Sequence, residues 1–117
     1  MRLRVLRAEI EDMEAGSGRF RRADQLERAR RSLRADILAL RHELELLDDV
    51  LRTGPTPISA RAARDRALYS VRVAERGWRG SRDPADLPAV ITALEDAREA
   101  LAESLEALAR RTGRTRS

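Results

Sequence analysis

The sequence contains no cysteine and no lysine, and only three of its 117 residues are aromatic. Without cysteine the chain cannot form disulfides, thiolate metal sites or a thiol nucleophile. No apolar run approaches the roughly 18 residues that a membrane span needs. Near the N-terminus, Arg2, Arg4, Arg7 and Glu9 interrupt the continuous apolar stretch that a secretory signal requires. We therefore expect a cytoplasmic protein that does not cross a membrane.

Side chains that commonly carry catalysis are scarce. The one histidine, His42, lies between Arg41 and Glu43 and off the apolar stripe of its segment, which favours a surface position. The acidic residues lack the spacing of a metal site. We predict no catalytic, cofactor-binding or metal-binding residue. The stretch LRADILAL resembles the opening of small all-helical chorismate mutases, which implies an arginine-rich helical enzyme as an alternative, although the basic residue expected after the long helix is replaced by Gly-Pro-Thr-Pro.

Apolar residues recur at helical spacing through most of the chain. A short first series ends at Gly-Ser-Gly, residues 16–18, and consists of Leu3, Leu6, Ile10 and Met13. A longer second series ends at the Gly-Pro-Thr-Pro break, residues 54–57, and consists of Leu26, Ala29, Leu33, Ile37, Leu40, Leu44, Leu47 and Leu51. These patterns predict one short helix and one long helix.

Two further helices are predicted after the break. Ser59 is the expected N-cap of the third helix, and Gly77 its expected end. The small residues of one face of this helix are Ala60, Ala63, Ala67, Val71 and Ala74, followed by Trp78. Asp86 is the expected N-cap of the fourth helix, and Gly113 its expected end. The apolar residues of that helix are Leu87, Val90, Leu94, Ala97, Leu101, Leu105 and Leu108.

The predicted fold is therefore all-α, an antiparallel bundle of about four helices, of which one is short, one long and two medium in length. We expect one domain over residues 1–113 and a basic C-terminal tail over residues 114–117. A face rich in alanine buries little area, and each buried leucine contributes only about 1.5–3 kcal/mol. We therefore expect a homo-oligomer or a protein partner.

Positive charge is concentrated in the N-terminal third. Residues 1–34 carry ten arginines and six acids, whereas residues 35–117 carry fourteen of each. Arginines at the start of a helix oppose the helix dipole, so local stability does not explain them. The predicted basic contact surface, for phosphate or an acidic partner, consists of Arg21, Arg22, Arg28, Arg30, Arg31 and Arg34. Alternatively, these residues form a solvated face, neutralised by acids of the first helix and by pairs such as Asp24 with Arg28 and Glu27 with Arg31.

The C-terminal stretch RRTGRTRS forms a second predicted basic patch, with Arg110, Arg111, Arg114 and Arg116 and no acid. Such a patch suits nonspecific contact with a nucleic-acid backbone. The aromatic residues are too isolated to form a stacking platform for bases. The alternative function is thus a nucleic-acid-associated accessory subunit of a ribonucleoprotein or phage assembly.

The stretch Trp78-Arg79-Gly80 resembles the WxG turn of a family of secreted helical hairpins, and predicted helices precede and follow it. That resemblance implies two helices hinged at Gly80 and export from the cell. It covers three residues, and no Tyr-x-x-x-Asp/Glu export signal follows the last helix. The other interpretation is that Trp78 covers the core at the end of the third helix.

The function we expect is a noncatalytic interaction or assembly module whose basic N-terminal third is its contact surface.

Overall fold

The computed structural model describes the backbone of residues 2–14 and 19–115 and the side chains of residues 3–8, 10 and 23–110. Over these backbone ranges the chain forms four α-helices and no strand. The helices are α1 (Arg2–Glu14), α2 (Arg19–Arg52), α3 (Ile58–Gly80) and α4 (Leu87–Thr115), with a 3-10 helix (Pro84–Asp86) immediately before α4. The prediction of an all-α bundle with one short, one long and two medium helices is confirmed. None of the described helices is long and apolar enough to span a membrane.

α3 runs antiparallel to α2. Near the end of α3, the Trp78 side chain contacts Arg30 of α2, and the indole Nε1 donates to the Arg30 carbonyl at 2.8 Å. Near the start of α3, Arg64 forms an ion pair with Asp48 of α2. Because the two contacts occur in opposite order along the two helices, the helices point in opposite directions. We call these regions of the bundle the Trp78 end and the Arg64 end.

The closest packing is between α3 and α4, and small residues allow it. A Cβ atom added to Gly77 of α3 would lie 3.1 Å from Val90 Cγ2 of α4. Toward the other end of the pair, the buried Ser104 of α4 donates its Oγ to the Ala60 carbonyl at 2.8 Å. α4 is therefore antiparallel to α3 and parallel to α2.

α1 packs against α2, α4 and the 3-10 helix at the Trp78 end. Its Leu3, Leu6 and Ile10 side chains are buried in the common core, and Arg7 forms an ion pair with Glu95 of α4. The apolar series of the other helices are buried or pack against that core, with one correction. Leu105, which the spacing on α4 places in the core, is 52% exposed, because α1 is too short to extend over it.

Several helix ends differ from the prediction. α3 begins before Ser59, because Pro57 adopts an extended conformation with ψ of 142° and its carbonyl accepts the backbone N–H of Ala60 at 3.1 Å. Gly77 lies inside α3, which ends at Gly80, and Gly113 lies inside α4, which ends at Thr115. At Gly77 the glycine provides space for Val90 rather than a helix stop.

The turn before α4 also differs, since Asp83 caps the 3-10 helix and the Asp86 carboxylate binds the backbone that precedes it. The Asp83 carboxylate accepts the backbone N–H of Ala85 at 3.1 Å. The Asp86 carboxylate points back and accepts the backbone N–H groups of Arg82 at 2.9 Å and Asp83 at 3.1 Å. This reciprocal capping box fixes the chain where it leaves α3 and enters α4.

Candidate anion-binding groove

Arg30 connects α2 to the end of α3. Its Nη1 donates to the Ser81 carbonyl at 2.5 Å and to Ser81 Oγ at 3.1 Å. The guanidinium carbon lies 4.8 Å from the centroid of the Trp78 ring, which is a cation–π contact. Ser81 is fully buried and donates its own Oγ to the Trp78 carbonyl at 2.6 Å. Arg30, a predicted contact residue, is therefore engaged in a structural contact.

A groove of about 380 Å³ lies beside this contact, between α2 and the segment that connects α3 to α4. The lining arginines are Arg30, Arg31 and Arg34 of α2 and Arg82 of the connecting segment, and Glu27 is the one acid among the lining residues that the structure describes. The α2 residues share a face because they are three, four and seven positions from Glu27. We call this site the arginine groove.

Arg31 and Arg34 are exposed, and neither has an ion-pair partner among the described side chains. The expected pair of Glu27 with Arg31 is not formed within 4 Å, and the same holds for Asp24 with Arg28. These two local pairs are therefore not formed, and the first-helix acids of that alternative, Glu9, Glu11, Asp12 and Glu14, have side chains outside the described part of the chain. The guanidinium groups of Arg31 and Arg34 are available to a ligand.

Arg82 lies on the opposite wall of the arginine groove. It is exposed, and its Nη1 donates to the carbonyls of Arg79 at 3.2 Å and Ser81 at 3.3 Å. These carbonyls lie at the C-terminal end of α3, where the helix dipole favours a cation. Sequence reasoning missed Arg82 because it is far along the chain from the α2 arginines. Its position directly after a predicted helix end was the available signal.

The charges of the arginine groove do not cancel. Its described lining residues include four arginines and one glutamate, a surplus of three positive charges. Such a surplus on a concave surface creates a positive potential that attracts anions. Planar guanidinium groups suit carboxylate and phosphate in particular, because each can donate two parallel hydrogen bonds.

The other predicted contact residues lie elsewhere. Arg28 of α2 is exposed but does not line the arginine groove. Arg110 is exposed on α4 beyond Ser104, toward the Arg64 end of the bundle. Arg116 lies outside the described residues. The residues that lie in helices but whose side chains are outside the described part are Arg21, Arg22, Arg111 and Arg114.

A second groove lies at the Arg64 end and is lined by Asp48, Leu51, Arg52, Arg61, Arg64 and Asp65. Arg64 donates its Nε and Nη2 to the two carboxylate oxygens of Asp48, at 2.7 and 2.8 Å. Its Nη1 donates to Asp65 at 3.1 Å. The hydrogen bonds to Asp48 are the main reason that the pKa of Arg64 is raised. This guanidinium is already bound by carboxylates of the same chain.

The remaining predictions for the described part of the chain concern potential metal ligands, His42 and the Trp78-Arg79-Gly80 stretch. Its side chains include no group of three or more potential metal ligands. His42 is exposed on α2, as expected. Trp78 is partly buried and packs against the core, which agrees with a core-covering position. The helices around Trp78-Arg79-Gly80 form an antiparallel pair, but α3 continues as a helix through all three residues.

Comparison with protein-family models, curated proteins and solved structures gives no match to this chain.

Proposed function

We propose that this protein is a noncatalytic helical interaction module that binds an acidic segment of a protein partner in the arginine groove. The observation that carries the proposal is the pair of exposed arginines, Arg31 and Arg34, without ion-pair partners among the described side chains and facing Arg82 across the groove. An acidic segment would supply the carboxylates that this part of the chain lacks. A cytoplasmic location, as expected from the sequence, is part of the proposal.

Two features favour an acidic protein segment over a nucleic acid. The Arg30 guanidinium covers one face of the Trp78 ring, so that face is not available to stack on a base. Arg110 lies toward the other end of a bundle that is 61 Å long, and the groove at that end contains Asp48 and Asp65. Of the predicted contact residues that the structure describes, those of α2 and Arg110 therefore lie toward opposite ends of the bundle.

The direct test measures binding of a fluorescein-labelled, glutamate-rich peptide by fluorescence anisotropy. Arg34→Gln should weaken binding by roughly fivefold to tenfold, since one charge-assisted contact contributes about 1–1.5 kcal/mol. Arg28→Gln is the matched control, because it removes the same charge from an exposed site on the same helix outside the arginine groove. We expect it to have little effect.

A single-stranded oligonucleotide of matched charge distinguishes the two partner classes. If the oligonucleotide binds more tightly than the peptide, and Arg28→Gln and Arg34→Gln weaken it equally, the proposal is replaced by nonspecific electrostatic binding of nucleic acid. If neither probe binds wild-type protein at low salt, the arginine groove is not a binding site.

A further inference from the structure

One face of α2, on the side opposite Arg30 and Asp48, changes from buried to exposed halfway along the helix. Its members recur at alternating spacings of four and three, at Gln25, Ala29, Ser32, Asp36, Ala39, Glu43, Leu46 and Val50. The first four are partly or fully buried, and the last four are exposed. Leu46 and Val50 are 53% and 55% exposed although both are large and apolar.

A face of α4 shows the same change. Its members are Ile91, Glu95, Arg98, Ala102, Leu105 and Ala109, again at helical spacing. Ile91 is fully buried and Glu95 is paired with Arg7 of α1, whereas the residues from Arg98 onward are exposed. Both faces therefore become exposed toward the Arg64 end of the bundle.

The length of α1 explains the change. α1 has 13 residues and is about 20 Å long, whereas α2 has 34 residues and is about 51 Å long. α1 packs on α2 and α4 at the Trp78 end and leaves the rest of the channel between them uncovered. We call the uncovered part the open half-groove, with Leu46 and Val50 on one side and Leu105 on the other.

The solvent side of α1 carries two apolar residues. Val5 is 60% exposed, and Ala8, three positions further along, is exposed as well. At 100° per residue both lie away from the buried Leu3, Leu6 and Ile10. α1 therefore has one apolar face in its own core, and its solvent side carries Val5 and Ala8 together with the exposed Arg4.

We propose that two copies of this chain pair about a two-fold axis perpendicular to the helices, so that α1 of each copy occupies the open half-groove of the other. In one copy, α1 stands one helix diameter, about 10 Å, above the layer of α2 and α4, and the open half-groove is a recess of the same depth. Rotation by 180° places a second α1 in that recess. Val5 and Ala8 of one copy then contact Leu46, Val50 and Leu105 of the partner copy.

The size of this face favours a second copy as the occupant. The exposed half of the α2 face extends from residue 39 to residue 50 and is about 17 Å long, close to the roughly 20 Å length of α1. α1 is about 20 Å by 10 Å and the recess about 17 Å by 20 Å, so the face measures roughly 540 Å² per copy, or about 1,100 Å² for the pair, just above the total of about 1,000 Å² that a specific interface needs. A two-fold pairing uses the same surface twice and leaves neither α1 nor the recess uncovered.

Charge is also compatible with self-association. Among the described residues of the contact, the exposed halves of the two faces contain Glu43 and Arg98, and α1 adds Arg4, so charges of both signs are present. The arginine groove lies on the α3 side of α2. Pairing of two copies therefore leaves it accessible, and the present inference does not depend on the function proposed for it.

The first test is the molar mass by light scattering at micromolar concentration. We expect about 26 kDa, twice the 13.2 kDa of one chain, for the wild type. Leu46→Glu should give the monomer mass. Leu38→Glu is the matched control, because Leu38 is 52% exposed on a different face of α2 and should leave the dimer intact. A wild-type monomer throughout this range, or equal loss of the dimer in both variants, overturns the proposal.

The second test uses the absence of native cysteine. A tagged Val5→Cys chain is mixed with an untagged Leu46→Cys chain and oxidised, and the products are separated by mass. The proposed pairing predicts a heterodimer joined by a disulfide, and no such product when Leu38→Cys replaces Leu46→Cys. Equal cross-linking at both positions would show that α1 does not occupy the partner's open half-groove.

Discussion

The interface between α2 and α3 has an arginine-containing groove at each end, and the two grooves differ in how their charge is balanced. At the Arg64 end, the guanidinium of Arg64 binds both oxygens of Asp48 and one of Asp65. At the Trp78 end, Arg31 and Arg34 have no ion-pair partner among the described side chains. The two ends therefore differ in whether acids form ion pairs with the arginines. Paired acids make the Arg64 end a structural cluster, and the absence of such pairs among the described side chains makes the Trp78 end a candidate binding site.

The largest effect expected at the Trp78 end is that of Trp78→Ala. This substitution removes a partly buried ring, its hydrogen bond to the Arg30 carbonyl and its contact with the Arg30 guanidinium. We expect the free energy of unfolding to fall by about 3 kcal/mol, near the lower limit for aromatic truncations because the ring is not fully buried. Chemical denaturation followed by circular dichroism measures the change. A loss below about 1 kcal/mol would mean that Trp78 does not hold α3 against α2.

The next largest effect is expected when one arginine is replaced by methionine at each end and the free energies of unfolding are compared. Arg64→Met should lower the free energy of unfolding by about 1–2 kcal/mol, because it leaves the half-buried Asp48 carboxylate without its two donors. Arg34→Met should change it by no more than about 0.5 kcal/mol, since an exposed and unpaired arginine contributes little. Equal losses in denaturant melts would contradict the distinction between the two ends.

The two glycines beside Trp78 should respond differently to alanine. Gly80→Ala should be neutral or stabilising by about 0.5 kcal/mol, since the added Cβ has open space and alanine favours the helix. Gly77→Ala gains the same propensity but places its Cβ 3.1 Å from Val90, whose side chain is buried. We expect Gly77→Ala to be the less stable variant by about 1 kcal/mol in thermal melts. Equal stabilities would show that Val90 can move aside.

Much of this organisation is predictable from the sequence because it depends on local spacing. The periodicity predicts the four helices, and the surplus of arginine in residues 1–34 predicts a basic surface there that includes Arg30, Arg31 and Arg34. Arg82 lies on the opposite wall because α3 is antiparallel to α2. The spacing of residues within one helix does not predict how two helices pack, so this position could not be predicted from the sequence. The hydrogen bond from Arg30 to the Ser81 carbonyl could not be predicted for the same reason.

The errors in prediction have physical causes of the same kind. Glycine is a common helix terminator, but at Gly77 its role is to let α3 approach α4. Asp86 has the residue type and position of an N-cap, yet its carboxylate binds the backbone before the 3-10 helix. Leu105 has core spacing, and its exposure follows from the short length of α1. In each case a neighbour distant in sequence decides the outcome.

The intrinsic fluorescence of Trp78, the one tryptophan in the chain, gives the most direct test of the claim that the Trp78 end binds anions. Trp78 lines the arginine groove, so a bound acidic peptide should change its emission. We predict a saturable change that is lost at high salt, that Arg34→Gln weakens, and that Arg61→Gln, an exposed arginine of the opposite groove, leaves unchanged. The same response in both variants, or no saturable change in the wild type, would contradict the account.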